Sequence, residues 1–157
     1  MAETATPSKA ALAEQSIKQH MLAAAAVGVV PLPWVGLAGL AGLQLNLLRC
    51  LAKVYAVEFS TQLGKSAIGA LVGSDLSVTV SVSLAKAVPG PGWAVGAASG
   101  ALLGAASTYA LGKVFVQHFE SGNTFLTFDP DKVKAYYAEQ YARGKEEVRK
   151  SFAGLKP

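Results

Sequence analysis

The chain has 157 residues, a length that suits one domain, since domains commonly run to about 100–150 residues. It is 52% hydrophobic and only 15% charged, against a usual charged share of about 25%; this excludes intrinsic disorder, which needs low hydrophobicity and high net charge. One cysteine, Cys50, excludes an internal disulfide framework, and a net charge of +4 is too small by itself to argue for nucleic acid.

The charges sit at the ends. Residues 1–18 hold Glu3, Lys9, Glu14 and Lys18, and residues 129–157 hold 12 of the 24 charged side chains. Two runs, 19–48 and 87–112, hold none. An apolar stretch of about 18 residues or more is the usual mark of a membrane helix. The first run is not a signal peptide, because it begins too late and lacks a short basic segment directly before a clean apolar core and cleavage site.

Residues 1–18 read as a tail and helix start, followed by a first helical hairpin over 19–59. Its arms meet at Pro31-Leu32-Pro33. Proline fixes φ, removes an amide donor and pushes its predecessor out of the helical region, so the pair marks a bend. The arms 19–30 and 34–48 would be about 18 and 22 Å long, short of the ~30 Å bilayer core. A hairpin that dips into the membrane, or turns near its far interface, fits better than a straight span. Residues 60–75 read as a connecting helix ended by Gly73, with Ser74 or Asp75 able to cap the next helix.

A second hairpin is expected over 76–121. Its first segment, 76–83, alternates like a strand, but no second strand is available to pair with it, so it is read as helix. The bend is Pro89-Gly90-Pro91-Gly92, and 93–112 is the one arm long enough to cross a bilayer. Within 122–157, Asp129 at the N-cap, Pro130 at the first helical position and Asp131 in the first turn announce a C-terminal amphipathic helix. Val133, Tyr137, Tyr141, Gly144, Val148 and Phe152 form its apolar stripe, among six Lys and Arg residues. Packing on the bundle, or contact with anionic lipid or a partner, would both suit it.

The hairpins repeat. At an offset of 60, Val35, Gly36, Ala38, Leu43, Leu51, Lys53, Val54 and Phe59 match Val95, Gly96, Ala98, Leu103, Leu111, Lys113, Val114 and Phe119. With two residues of slippage the Pro-x-Pro bends align too, each followed by Trp34 or Trp93. The expected fold is all-α: two tandem proline-bent hairpins plus the C-terminal helix. Gly92, Gly96, Gly100 and Gly104 recur every four residues, continued by Thr108 and Gly112. Glycines cost a water-exposed helix about 1 kcal/mol each relative to alanine, so the row reads as a close-packing face, within the chain or between copies in a homo-oligomer. If both hairpins enter a membrane from one side, 13 of the 14 cations share that side, with Lys86 opposite, and the termini lie inside. Arg49, Lys53 and Lys113 then face headgroups at the hairpin bases.

Catalytic chemistry is not apparent. Gly64-Lys65-Ser66 ends like a phosphate-binding loop, but Phe59 stands where that motif needs glycine. His20 and His118 lack metal-ligand spacing. Cys50 beside Arg49 reads as an inert thiol, and no nucleophile elbow or paired carboxylates occur. No enzyme activity, cofactor, metal, nucleic-acid partner or small-molecule substrate is expected.

Val30-Pro31-Leu32-Pro33, Gln44, Leu51-Ala52, Tyr55 and Thr108-Tyr109-Ala110-Leu111-Gly112-Lys113 resemble the YcjF-like family, domain of unknown function 697, over about residues 15–145. Its members are bacterial and often membrane proteins, and some are fused to or encoded with Era-like GTPase domains. The resemblance implies the bacterial inner membrane and a GTPase partner in trans. Two departures stand out: Trp34, Val35, Gly36 and Leu37 replace the family's acidic residue after the bend, and Ala56 stands where a glycine usually follows the tyrosine. The leading expectation is a non-enzymatic, membrane-associated hairpin protein acting as anchor, scaffold or membrane-shaping, self-assembling element. The alternative is a soluble helical module that docks a GTPase or forms a homo-oligomer.

Overall fold

The computed structural model describes residues 5–30, 32–73 and 90–154. These fold as α1 (Lys9–Gly28), α2 (Pro33–Val54), α3 (Thr61–Val72), α4 (Pro91–Glu120), a 3-10 turn (Phe125–Thr127) and α5 (Pro130–Ala153). No strand occurs among the described residues, so the all-α expectation holds. The alternating segment 76–83, Lys86 and the prolines Pro31 and Pro89 lie outside them.

Local chemistry sets the helix ends. The Ser8 side chain accepts the Ala11 amide (3.1 Å) and starts α1, which runs unbroken past residue 19. Helices α2 and α4 each carry proline in the first turn (Pro33 and Pro91), where the missing amide costs nothing because that donor has no intrahelical partner. Both also end in the same way. The Val57 amide donates to Ala52 O and the Ala56 amide to Lys53 O; after α4, Asn123 donates to His118 O and Gly122 to Phe119 O. This double bond pattern needs a left-handed residue after the cap. Gly122 adopts it at φ 81°, but in α2 the position falls to Ala56 at φ 54°. A left-handed conformation costs an L-residue about 1–2 kcal/mol. Ala56→Gly is therefore expected to stabilise the protein by about 1 kcal/mol, read as a higher midpoint in urea unfolding.

Helix α1 lies antiparallel to both α2 and α4. Gly28 faces Gly100, Ala24 faces Gly104 and Ile17 faces Gly112. Helices α2 and α4 run parallel, Gln44 meeting Ser107 and Thr108, and Tyr55 meeting Glu120. The bundle therefore has two unlike ends. At the charged end, Phe115, Phe119 and Phe125 pack as one cluster with ring centroids 5.3–5.5 Å apart, Phe59 meets Phe125 edge-on and Phe128 stacks on Phe115 at 4.8 Å. Such aromatics bury the most apolar area per residue and hold this end together. The other end is built from Met21, Ala24, Ala25, Ala97, Ala101 and Ala105, with little bulk to fill. Close backbone approach replaces side-chain volume there.

Candidate functional site

At this alanine-rich end six of the ten exposed large apolar side chains among the described residues collect, although the most exposed, Leu126, stands in the 3-10 turn at the other end. Val29, Leu32, Trp34 and Val35 surround the first bend, and Trp93 and Val95 stand at the start of α4. Trp34 is 79% exposed and Val95 64%. Along α2 the outward positions Ala38, Gly39, Ala41 and Gly42 continue the apolar surface until Asn46 and Arg49; on α1, Leu22 and Ala26 continue it until Lys18. From Trp34 to Gly42 is about 12 Å of helix. Helix α5 sets a limit on the same surface. Its Gly144 sits against the Ala106 backbone, and Val148 packs among Met21, Ala25, Ala101 and Ala105. Arg149 and Lys150 are thus carried up to the margin of the apolar cap, with half-exposed Phe152 beyond them.

At Gly100, Gly104 and Gly112 the glycine row is occupied within the chain. A Cβ on Gly28 would lie 2.4 Å from the Gly100 carbonyl oxygen, one on Gly104 would lie 3.4 Å from Ala24 O, and one on Gly112 would strike Ile17 at 2.6 Å. Gly96 is buried; Gly92 sits in the first turn of α4. Pro33 and Pro91, expected at the bends, are the first residues of their helices.

Of the three cations expected at headgroups, Arg49 is exposed and stacks 5.1 Å over the Phe59 ring, and Lys53 is exposed in the last turn of α2. Lys113 is held inside the chain: it pairs with Glu14 and lies over Tyr109. The C-terminal helix is largely self-neutralised, through Asp129–Lys132, Asp131–Lys134, Glu139–Arg143, Glu146–Arg149 and Glu147–Lys150. It packs on α4 through Tyr137, Gln140, Gly144 and Val148.

Two polar groups of contacts cross the uncharged runs. Gln44 is buried and its amide donates to Ser107 Oγ (3.0 Å) and Thr108 Oγ1 (3.3 Å); both hydroxyls donate to Gly104 O at 3.0 and 2.8 Å. These bonds fix the register of α2 on α4 where apolar packing alone is permissive, and a satisfied buried network resists sliding. His20 Nδ1 lies 2.7 Å from Ser16 O, so it carries the proton, and Nε2 accepts from Asn46 Nδ2 at 3.0 Å. Spacing did not expose either set; the signal was polar residues interrupting uncharged runs. At the charged end, Tyr55 donates to Glu120 Oε1 at 2.8 Å, and burial first, then the Glu120 carboxylate, push its phenol up to about 12.

The remaining chemistry-bearing residues are separated. Among the described residues no group of three His, Cys, Asp or Glu side chains gathers at one point. Gly64 is buried within α3 against Leu45, and His118 Nε2 donates to Thr124 O at 2.7 Å. Helical stretches Trp34–Val54 and Trp93–Glu120 are long and apolar enough to cross a membrane, and more than half of the second is buried inside the bundle.

Comparison with known proteins accords with the motif resemblance. The chain is 38% identical over 138 residues to "Magnetosome membrane protein 22" of Magnetospirillum gryphiswaldense, a match covering 85% of this chain and 71% of that protein. No solved structure matches. The description "Domain of unknown function (DUF697)" fits residues 5–146, nearly the whole length over which the bundle is formed, and the chain belongs to that family.

Proposed function

We propose that the protein is a non-enzymatic, membrane-associated element that seats its uncharged end in one leaflet of a bacterial inner membrane, as an anchor or scaffold. The observation that carries this reading is the cap itself: six large apolar side chains, both tryptophans among them, exposed together at an end where no described residue of α1, α2 or α4 is charged. Monomeric soluble proteins rarely expose large contiguous apolar patches without an interaction purpose. The cap's ~12 Å depth along α2 matches half of a ~30 Å hydrocarbon core. Full crossing by α4 fits less well, because charged α5 lies along it as far as Ala101. A single leaflet accommodates the cap while leaving Arg49, Arg149 and Lys150 near headgroups and both termini on the cytoplasmic side. The relative's printed name, a magnetosome membrane protein, supports a membrane role. A wedge in one leaflet would favour membrane curvature, and self-assembly or docking of an Era-like GTPase would engage the surfaces that remain in water.

The burial of much of α4 favours a second reading, a soluble bundle whose cap docks on a partner protein. Trp34 and Trp93 are the chain's two tryptophans, so their fluorescence tests the choice without labels. With vesicles of mixed zwitterionic and anionic phospholipid, emission should shift to the blue and be quenched by lipids brominated at shallow acyl positions. Unchanged emission, with the protein remaining in the supernatant after the vesicles are pelleted, would overturn the membrane reading.

A further inference from the structure

Helix α3 runs antiparallel to α2, and the two are tightly joined only near the charged end. There Gly64 closes on Leu45 and Leu48, a Cβ on it lying 2.9 Å from the Leu45 side chain. Toward the cap, two apolar hollows lie between the helices, and Ala41 and Ile68 line both of them. One hollow, of about 530 Å³, is lined by Ala38, Gly42, Leu45 and Lys65; the other, of about 340 Å³, by Leu37, Leu40 and Val72. A Cβ on Gly42 or Gly69 would meet nothing within 4 Å. Both volumes fall in the range of about 300–1,000 Å³ typical of small-molecule sites.

Among the described residues, charge borders the hollows at one end only. Ala38, Gly42, Leu45 and Arg49 follow one another on a single face of α2 by helical spacing, so the face that lines the larger hollow ends in a guanidinium. Arg49 rests on Phe59, whose ring also approaches Gly64, next to Lys65. Among the described residues neither Arg49 nor Lys65 forms an ion pair with a carboxylate, unlike Lys132, Lys134, Arg143, Arg149 and Lys150 of α5. An apolar trough lined by Lys65, on a face of α2 that continues to Arg49, offers two unpaired cations at one end of an apolar hollow and so matches the two parts of one kind of molecule.

We propose that the groove between α2 and α3 holds one acyl chain of an anionic phospholipid, with its phosphate between Arg49 and Lys65. This rests on the cap reading, since a cap seated in a leaflet brings the end of the groove away from Arg49 to the acyl region. The groove would then make the protein a reader of lipid headgroup charge as well as a wedge.

The test needs no bilayer. Dioctanoyl-phosphatidylglycerol and dioctanoyl-phosphatidylcholine, each below its micelle concentration, are titrated into the full chain by calorimetry, with inorganic phosphate as a third ligand. Saturable one-to-one binding of the glycerol lipid is expected, at least tenfold tighter than the choline lipid and absent for phosphate. Gly69→Leu fills the trough where the structure has room and should weaken binding tenfold or more with an unchanged circular dichroism spectrum. Lys65→Gln should abolish the preference between the two lipids. No saturable binding, equal binding by Gly69→Leu, or equal binding of phosphate alone would overturn the proposal. A dimer that Gly69→Leu dissociates would give the groove to a second copy instead. Vesicle quenching of Trp34 and Trp93 retained in Gly69→Leu shows that the cap reading survives independently.

Discussion

Gly28→Ala is expected to destabilise the protein by about 3 kcal/mol, near the upper end of the usual cost of overpacking a close contact. The added methyl would lie 2.4 Å from Gly100 O, 2.5 Å from Gly100 C and 2.6 Å from Ala101 N. All three are backbone atoms of a helix, so no side-chain rotation relieves the clash, and α1 and α4 must separate. Gly42→Ala provides the opposite sign. Its methyl meets nothing within 4 Å, and exchanging a helical glycine for alanine contributes up to about 1 kcal/mol through backbone entropy. For a domain of this size 1 kcal/mol corresponds to roughly 2–4 °C. Thermal unfolding followed by circular dichroism should therefore place Gly28→Ala roughly 6–12 °C below the parent protein and Gly42→Ala slightly above it. Equal midpoints would show that the α1–α4 crossing is not held at this distance.

That contrast also shows why the sequence was informative in some places and silent in others. The helices at Pro33, Pro91 and Pro130 were legible because proline and capping residues act locally, and the C-terminal helix starts one residue after its Asp129 cap. The four-residue glycine spacing was legible as a packing face, but its occupant was not, since spacing on one helix cannot say which helix lies opposite. The structure places α1 there, contributing its own Ala24 and Gly28. Lys113 illustrates the same limit. The topology expected it at headgroups and spacing gave no hint of its ion-pair partner, Glu14, 99 residues away in the chain. The Gln44–Ser107–Thr108 network was also beyond reach, because it depends on the parallel register of two helices separated by more than 60 residues. The left-handed Ala56 was half visible: the departure from a family glycine was in the sequence, and only the backbone shows that the conformation was kept.

Charging the cap should remove membrane binding while leaving the fold intact. Val35 and Val95 are 55% and 64% exposed, so glutamate at both positions buries no charge within the bundle and is expected to move the unfolding midpoint little, as surface substitutions usually shift stability by about 0.5 kcal/mol or less. In lipid the outcome is different. A charged side chain near the bilayer centre costs roughly 2.5–3.5 kcal/mol on insertion scales, falling toward about 0–1 kcal/mol near the interface. At the depth given to the cap, two carboxylates together should cost about 3 kcal/mol, or roughly a hundredfold in partition. The double variant Val35→Glu, Val95→Glu retains Trp34 and Trp93, so the same fluorescence reports its loss of binding directly. Repulsion by anionic headgroups would add to the loss, but screening distinguishes the contributions: about 0.5 M salt shrinks the Debye length to a few ångströms and suppresses headgroup repulsion, but leaves the cost of placing a carboxylate in hydrocarbon. Persistence of the defect in high salt identifies insertion. Full recovery in high salt would mean that the cap only touches the surface, and unchanged binding by the folded variant would mean that the protein meets membranes through another face.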